Sequence, residues 1–266
     1  MSNKKALFVF GTRPEAIKMA PLVYAFIEHT SVDPVVCVTG QHKELLYQVL
    51  DFFQIKADYD LELMTENQSL CQLTARAVSG VEEVINEVKP DLVIVQGDTT
   101  TAFVGAYVGF LKEVPVAHIE AGLRTGNKKE PFPEEANRRL ISQIADIHFC
   151  PTDLAQENLT KEANTDGVVM LGNTVIDALK KGLDILGDDW SPEREELNAY
   201  KQAEKKVLIT LHRRETFGEE LDGLLSALQR LGNENPDVQF LFPVHPNPNI
   251  RKPVFEVLDG LSNFSL

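Results

Sequence analysis

Short apolar runs recur along the chain with longer stretches of helical period between them, and this alternation limits the fold more than any other feature. The runs are LFVF (7–10), PVVCVTG (34–40), DLVIVQG (91–97), VPVAHI (114–119), IHFCP (147–151), VVML (168–171), KVLITL (206–211) and VQFLFPV (238–244). They are apolar throughout, as strands covered on both faces are. Between them, Val81, Val84, Ile85 and Val88 fall at i, i+3, i+4 and i+7, and so do Leu221, Leu224, Leu225 and Leu228. Strand–helix alternation predicts an α/β fold with parallel sheets and right-handed crossovers.

The strands do not form one series. After VVML comes GNTVIDALKKGLDILGDDWSPEREEL, helical in period but interrupted by Gly172, Gly182, Gly187 and Pro192 and rich in charge. It reads as a linker, which predicts two doubly wound domains, 1–171 and 172–266, with a ligand cleft between them. The second has two clear strands and a third beginning at LSNFSL. So few strands cannot cover both faces of a sheet, so the sequence predicts an incomplete second domain and a C-terminal portion outside this chain.

The 266 residues carry 26 Lys+Arg against 40 Asp+Glu, a formal charge of −14. Such a chain has no general electrostatic attraction for nucleic acid or an anionic membrane, so an anionic ligand must be held by a few focused basic groups. The apolar run after MSNKK is too short for a secretory signal, and none approaches the ~20 residues of a membrane span. Cys37, Cys71 and Cys150 are far apart with no CxxC, and read as buried thiols of a reducing compartment. The expected location is the cytoplasm.

In open α/β sheets chemistry collects beyond the carboxyl ends of the strands. After LFVF comes GTRPEAIKMAPL, with Gly11 for a tight turn, Pro14 to start a helix, and Arg13 and Lys18 beside the helix N-terminus. It is either a phosphate site or a plain turn with surface cations. Asp98 follows DLVIVQG and is either functional or the cap of the next helix. Glu120 ends a buried strand, where desolvation without a partner is costly, and reads as functional. PFPEEANRR opens a helix at Pro133. There Glu135 reads as dipole compensation plus an i,i+4 pair with Arg139, a weaker account for Glu134.

HRRE (212–215) follows KVLITL; His212, Arg213 and Arg214 are either a diphosphate-binding cluster or a solvated turn. His245, at the next strand end, is a ligand residue or a structural histidine. No spacing suggests a metal, a GxGxxG loop or a Walker A loop. Carboxylates faced by basic groups fit an enzyme that moves protons on a phosphorylated substrate.

FGTRPEAIKMAPL, TGQH, VQGDTTTAF, HIEAGLRTGN, PFPEEANRRL, GNTVIDAL, HRRETFGE and PVHPNP, in this order, resemble the non-hydrolysing UDP-N-acetylglucosamine 2-epimerases of bacteria. The resemblance implies two Rossmann-like domains in the glycosyltransferase B arrangement. It implies reversible conversion of UDP-GlcNAc to UDP-ManNAc for surface polysaccharide, through 2-acetamidoglucal, with no NAD or other cofactor, in a homodimer. A hydrolysing relative releasing ManNAc and UDP, a glycosyltransferase of the same architecture and an inactive UDP-sugar-binding fragment are the competing readings.

By motif, Asp98, Glu120 and Glu134 match the acid/base carboxylates. Arg13 and His212 match residues near the diphosphate, with Lys18 and Arg213 as supports. Gln41 and His42 match the start of an activator patch. Glu44 and Asn67 stand where activator-binding members carry Gln and Arg, which implies weak substrate activation. The family continues into a Ser-Gly-Gly loop and a following Glu that hold the nucleotide, so the resemblance implies weak activity for the 266-residue piece.

Overall fold

The structure, a computed structural model, describes residues 3–29, 31–40, 43–65, 68–188, 197–211, 219–244 and 247–266, with the backbone alone at 43, 44 and 219. Two compact units divide the chain, 1–188 and 189–266.

Unit 1 holds strands β1 (Lys4–Phe10), β2 (Val32–Val38), β3 (Tyr59–Asp60), β4 (Leu92–Gln96), β5 (Val116–Ile119), β6 (Ile147–Cys150) and β7 (Val168–Met170). They form one seven-stranded sheet in the order β3-β2-β1-β4-β5-β6-β7, parallel throughout. The order reverses between β1 and β4, which opens a crevice at their carboxyl ends. The helices are α1 (Arg13–His29), α2 (Lys43–Phe52), α3 (Leu70–Val88), α4 (Thr100–Leu111), α5 (Glu134–Ile144), α6 (Asp153–Lys161) and α7 (Val175–Leu186).

The unbroken apolar runs follow from this layering. Phe8 lies between Val36 and Ile94 and packs with Met19 and Val23 of α1 and Leu46 and Leu50 of α2. Val9 lies between Cys37 and Val95 in a separate core with Val81 and Ile85 of α3 and Ala102 of α4. The predicted α3 stripe is buried at all four positions. Helix α4 lies close on the sheet because Gly105 and Gly109 face it: an added Cβ would meet Val95 at 2.8 Å and Val116 at 2.9 Å.

A recurring device finishes the ladder at the other end of the strands. Asp58, Asp91 and Asp146 each immediately precede a strand, and each Oδ2 accepts a neighbouring strand's N–H, from Val36, Lys5 and Val116, at 2.8 Å in every case. These carboxylates satisfy donors that would otherwise lack partners.

The division between units falls later than the expected 171/172. Residues 175–186 form α7, which packs on α1 and α2 instead of linking two domains: Ala178 is buried with Ala20 and Phe53, and the Lys181 ammonium lies 4.1 Å from the centre of the Tyr24 ring. The short edge strand β3 has no counterpart in the sequence reading, since two residues leave no periodicity. Cys37 and Cys150 are buried, but Cys71 is exposed in the first turn of α3, so only two of the thiols act as core residues. No helix among the described residues is long and apolar enough to cross a membrane.

Unit 2 holds α8 (Asn198–Gln202), β8 (Lys205–Leu208), α9 (Glu219–Glu234), β9 (Val238–Leu241), α10 (Pro248–Leu258) and β10 (Phe264–Ser265), with a parallel sheet in the order β10-β9-β8. The strand expected at LSNFSL is β10. Leu221, Leu225 and Leu228 pack with Phe242, Ile250, Val254 and Leu258. Leu224 of the same stripe is 38% exposed, so the apolar face of α9 is wider than the seam it buries.

Candidate active site

Four segments of unit 1 converge at the carboxyl ends of β1, β4 and β5: the turn after β1, the turn after β4, the residue after β5, and the start of α5.

Asp98 lies in the β4–α4 turn. It is not the helix cap: Thr99 is, its hydroxyl accepting from the Ala102 N–H at 3.0 Å. Asp98 is therefore free to face α5, where Arg138 Nη2 stands 2.5 Å from its Oδ2. Asn137 Nδ2 donates to the Asp98 carbonyl at 2.8 Å. Gly97, with φ +73°, makes the turn, and its carbonyl accepts from His118 Nε2 at 2.7 Å. His118 is therefore held as the Nε2–H tautomer. Burial pushes its pKa down to about 4, against the Gly97 bond, with His148 on the next strand pushing the same way.

Glu120 follows β5 in the left-handed region, with φ +65°. For a residue bearing a Cβ this costs about 1–3 kcal/mol and persists only where neighbours over-determine it. They do: Lys18 and Gln96 both donate to Oε2, and Asn173 Nδ2 lies 3.4 Å from Oε1. The predicted basic residue Lys18 is thus the ion-pair partner of Glu120, 22% exposed against 12% for the carboxylate.

Glu134 is the first residue of α5 after Pro133, one turn before Asn137 and Arg138 and on the same helix face. Its Oε2 is buried and has no hydrogen-bond partner among the described residues. Glu135 has the structural role read from the sequence and a larger one. It pairs with Arg139 at 3.3 Å, pairs with Arg138 at 3.1 Å, and accepts the N–H groups of Thr125 and Gly126. Burial raises its pKa, but these donors outweigh burial and hold the carboxyl below its ordinary value. Arg124 fixes the same loop from the other side through a two-pronged contact with Glu162, at 2.8 and 2.7 Å.

Arg13 is exposed and forms no ion pair among the described residues. The start of α1 is not an open anion site, because Glu15 already accepts the N–H groups of Gly11 and Thr12. Gly11 is required for space, not for a positive φ: a Cβ there would lie 2.0 Å from Thr39 Oγ1 and 2.7 Å from Thr101 Oγ1.

Gln41, His42, Asn67, His212, Arg213, Arg214 and His245 lie outside the described residues. No group of three or more His, Cys, Asp or Glu that could hold a metal ion occurs among the described ones. The sequence reading missed Arg138, Gln96, Asn173 and Glu15. Gln96 carried a signal, an amide ending an otherwise apolar strand run, and Arg138 lies at i+4 from Glu134.

These features meet known proteins closely. The family model for UDP-N-acetylglucosamine 2-epimerase matches residues 25–266. A UDP-N-acetylglucosamine 2-epimerase of Campylobacter jejuni is 48% identical over 270 residues, covering 99% of this chain and 70% of the relative. Among solved structures, the UDP-GlcNAc 2-epimerase of Neisseria meningitidis bound to UDP-GlcNAc superposes with a TM-score of 0.90 at 45% identity, covering 98% of this chain and 71% of that one. The S. aureus MnaA–UDP co-structure gives 0.89 at 41% identity, covering 99% and 68%.

Proposed function

The chain belongs to the UDP-N-acetylglucosamine 2-epimerase family, and from that premise we propose that it interconverts UDP-GlcNAc and UDP-ManNAc by eliminating and re-adding UDP. The C2 proton of an N-acetyl sugar is not next to a carbonyl, so stepwise deprotonation is very unfavourable. In the elimination a carboxylate takes the C2 proton, the C1–O bond breaks, and UDP leaves with the electron pair. The product is 2-acetamidoglucal. Re-addition of UDP with proton delivery to the opposite face inverts C2. Nothing is oxidised or reduced overall, so the reaction needs no redox cofactor.

The route needs acid/base groups on two faces of the sugar and cations for the diphosphate. The observation that carries the reading is the gathering of Asp98 and Glu120 at adjacent strand ends, with Glu134 one helical turn from the residues that hold Asp98. We assign proton transfer to these three and the diphosphate to exposed Arg13. By motif alone, His212 is assigned to the catalytic set near the diphosphate, Arg213 and His245 to the substrate, and Gln41 and His42 to an activator patch. Lys18 is assigned to the tuning of Glu120. A homodimer, a cytoplasmic location and supply of ManNAc units to surface polysaccharide complete the proposal.

Incubation with UDP-GlcNAc in D₂O, followed by NMR, tests it. The expected result is two UDP-sugars with deuterium at C2. Epimerisation without C2 exchange overturns the elimination route, and free ManNAc with UDP as the end products replaces it with the hydrolysing reading.

A further inference from the structure

Glu15 is 1% exposed and sits where the sheet order reverses, between the turns after β1 and β4. Its Oε2 accepts the N–H groups of Gly11 at 3.0 Å and Thr12 at 2.7 Å, and its Oε1 accepts the Thr99 hydroxyl at 2.6 Å. Thr12 precedes Arg13, and Thr99 follows Asp98. One carboxyl group thus joins the turn bearing the exposed cation to the turn bearing the candidate acid.

A second bridge, from the end of β2 to α4, flanks Gly11. The hydroxyls of Thr39 and Thr101 lie 2.8 Å apart, packed so closely on Gly11 that no Cβ fits there. Burial pushes the Glu15 carboxyl above its ordinary pKa, against the hydrogen bonds from Thr99, Gly11 and Thr12. A carboxyl in such a place is costly, and a short neutral side chain satisfies a helix start more cheaply. What a short side chain cannot do is reach both turns.

We propose that Glu15 is a positioning residue that fixes Asp98 relative to Arg13 and so sets the proton-transfer geometry. This inference rests on the role given to Asp98 above. A displacement of about 1 Å is enough to cost a rate factor on the order of 10². Glutamine at this position preserves the bridge, because its carbonyl oxygen accepts both backbone N–H groups while its amide donates to the Thr99 hydroxyl.

The test is a double-mutant cycle in epimerase turnover, with Glu15→Ala, Glu15→Gln, Asp98→Asn and Glu15→Ala/Asp98→Asn compared for kcat and KM. Glu15→Ala is expected to lower kcat at least about tenfold while KM moves less than about threefold, and Glu15→Gln to keep at least about a third of kcat. In the Asp98→Asn background Glu15→Ala should cost less than about twofold, because the group it positions is already disabled. Equal losses in both backgrounds, or a wild-type kcat in Glu15→Ala, overturn the inference. A wild-type rate in Asp98→Asn instead overturns the assignment of Asp98. If Glu15→Ala shows no cooperative urea transition, Thr99→Ala breaks the same bridge from the other turn and is judged by the same criterion, with Thr99→Ser as its conservative control.

Discussion

Arg138 reaches Asp98 through Nη2 at 2.5 Å and Glu135 through Nη1 at 3.1 Å, so one guanidinium joins a candidate acid to the buried carboxylate that anchors the neighbouring loop. Arg138→Met should lower kcat on the order of 10–100-fold. Arg138→Lys should recover only part of it, because an ammonium lacks the planar fork that spans two carboxylates. Steady-state rates of the two variants check this; full activity in Arg138→Lys would show that charge alone matters.

Asp98→Asn, Glu120→Gln and Glu134→Gln should each lower turnover about 10²-fold. Their effects on folding should differ. Glu120 receives Lys18, Gln96 and Asn173, whereas the buried oxygen of Glu134 receives nothing among the described residues. Urea midpoints should therefore fall for Glu120→Gln and stay near wild type for Glu134→Gln. Normal rates in all three variants would remove the carboxylate assignment.

Lys18→Met separates two roles for this residue. As the partner of Glu120 it should act on the chemical step, so kcat should fall by a larger factor than KM rises. A rise in KM with kcat unchanged would return Lys18 to the diphosphate.

His118 makes stability depend on pH. Its pKa is lowered to about 4 in the folded chain against 6.5 for an unperturbed imidazole, so between these values the unfolded chain takes up a proton that the folded one refuses. The stabilisation is complete above pH 6.5 and is lost as pH falls toward 4, by about 3 kcal/mol. Urea unfolding of wild type and His118→Gln at pH 7, 5.5 and 4 should show the shallower dependence in the variant.

Gly11→Ala should destabilise by about 1–3 kcal/mol, because the new methyl strikes the Thr39 hydroxyl. Removing that hydroxyl should relieve the strain, so Gly11→Ala/Thr39→Ala should be more stable than the sum of the single losses predicts. Additive losses in urea would show that the conflict lies elsewhere in the turn.

The layered sheet was legible because strands covered on both faces must be mostly apolar, and the buried stretches of β1, β4 and β5 are, with Gln96 and His118 the exceptions. Asp98 and Glu120 were legible because they interrupt such runs at the strand ends. The partners were not. Arg138 lies 40 positions from Asp98 and Lys18 lies 102 positions from Glu120, and no local pattern records either pairing. Helix α7 was misjudged for a related reason: its glycine and charges read as a connector, yet Gly182 is buried on the face that packs against α2, where an added Cβ would lie 3.5 Å from the Phe52 ring.

Asp58, Asp91 and Asp146 give the excess of acid a second meaning. Asp91 and Asp146 seal the amino rim of the sheet and Asp58 the start of its short edge strand, while the groups assigned to chemistry stand at the carboxyl ends of β4 and β5. Damage to one rim need not be felt at the other. A worn seal would shorten the life of the protein without dulling it, and a blunted acid would leave an idle protein as durable as before.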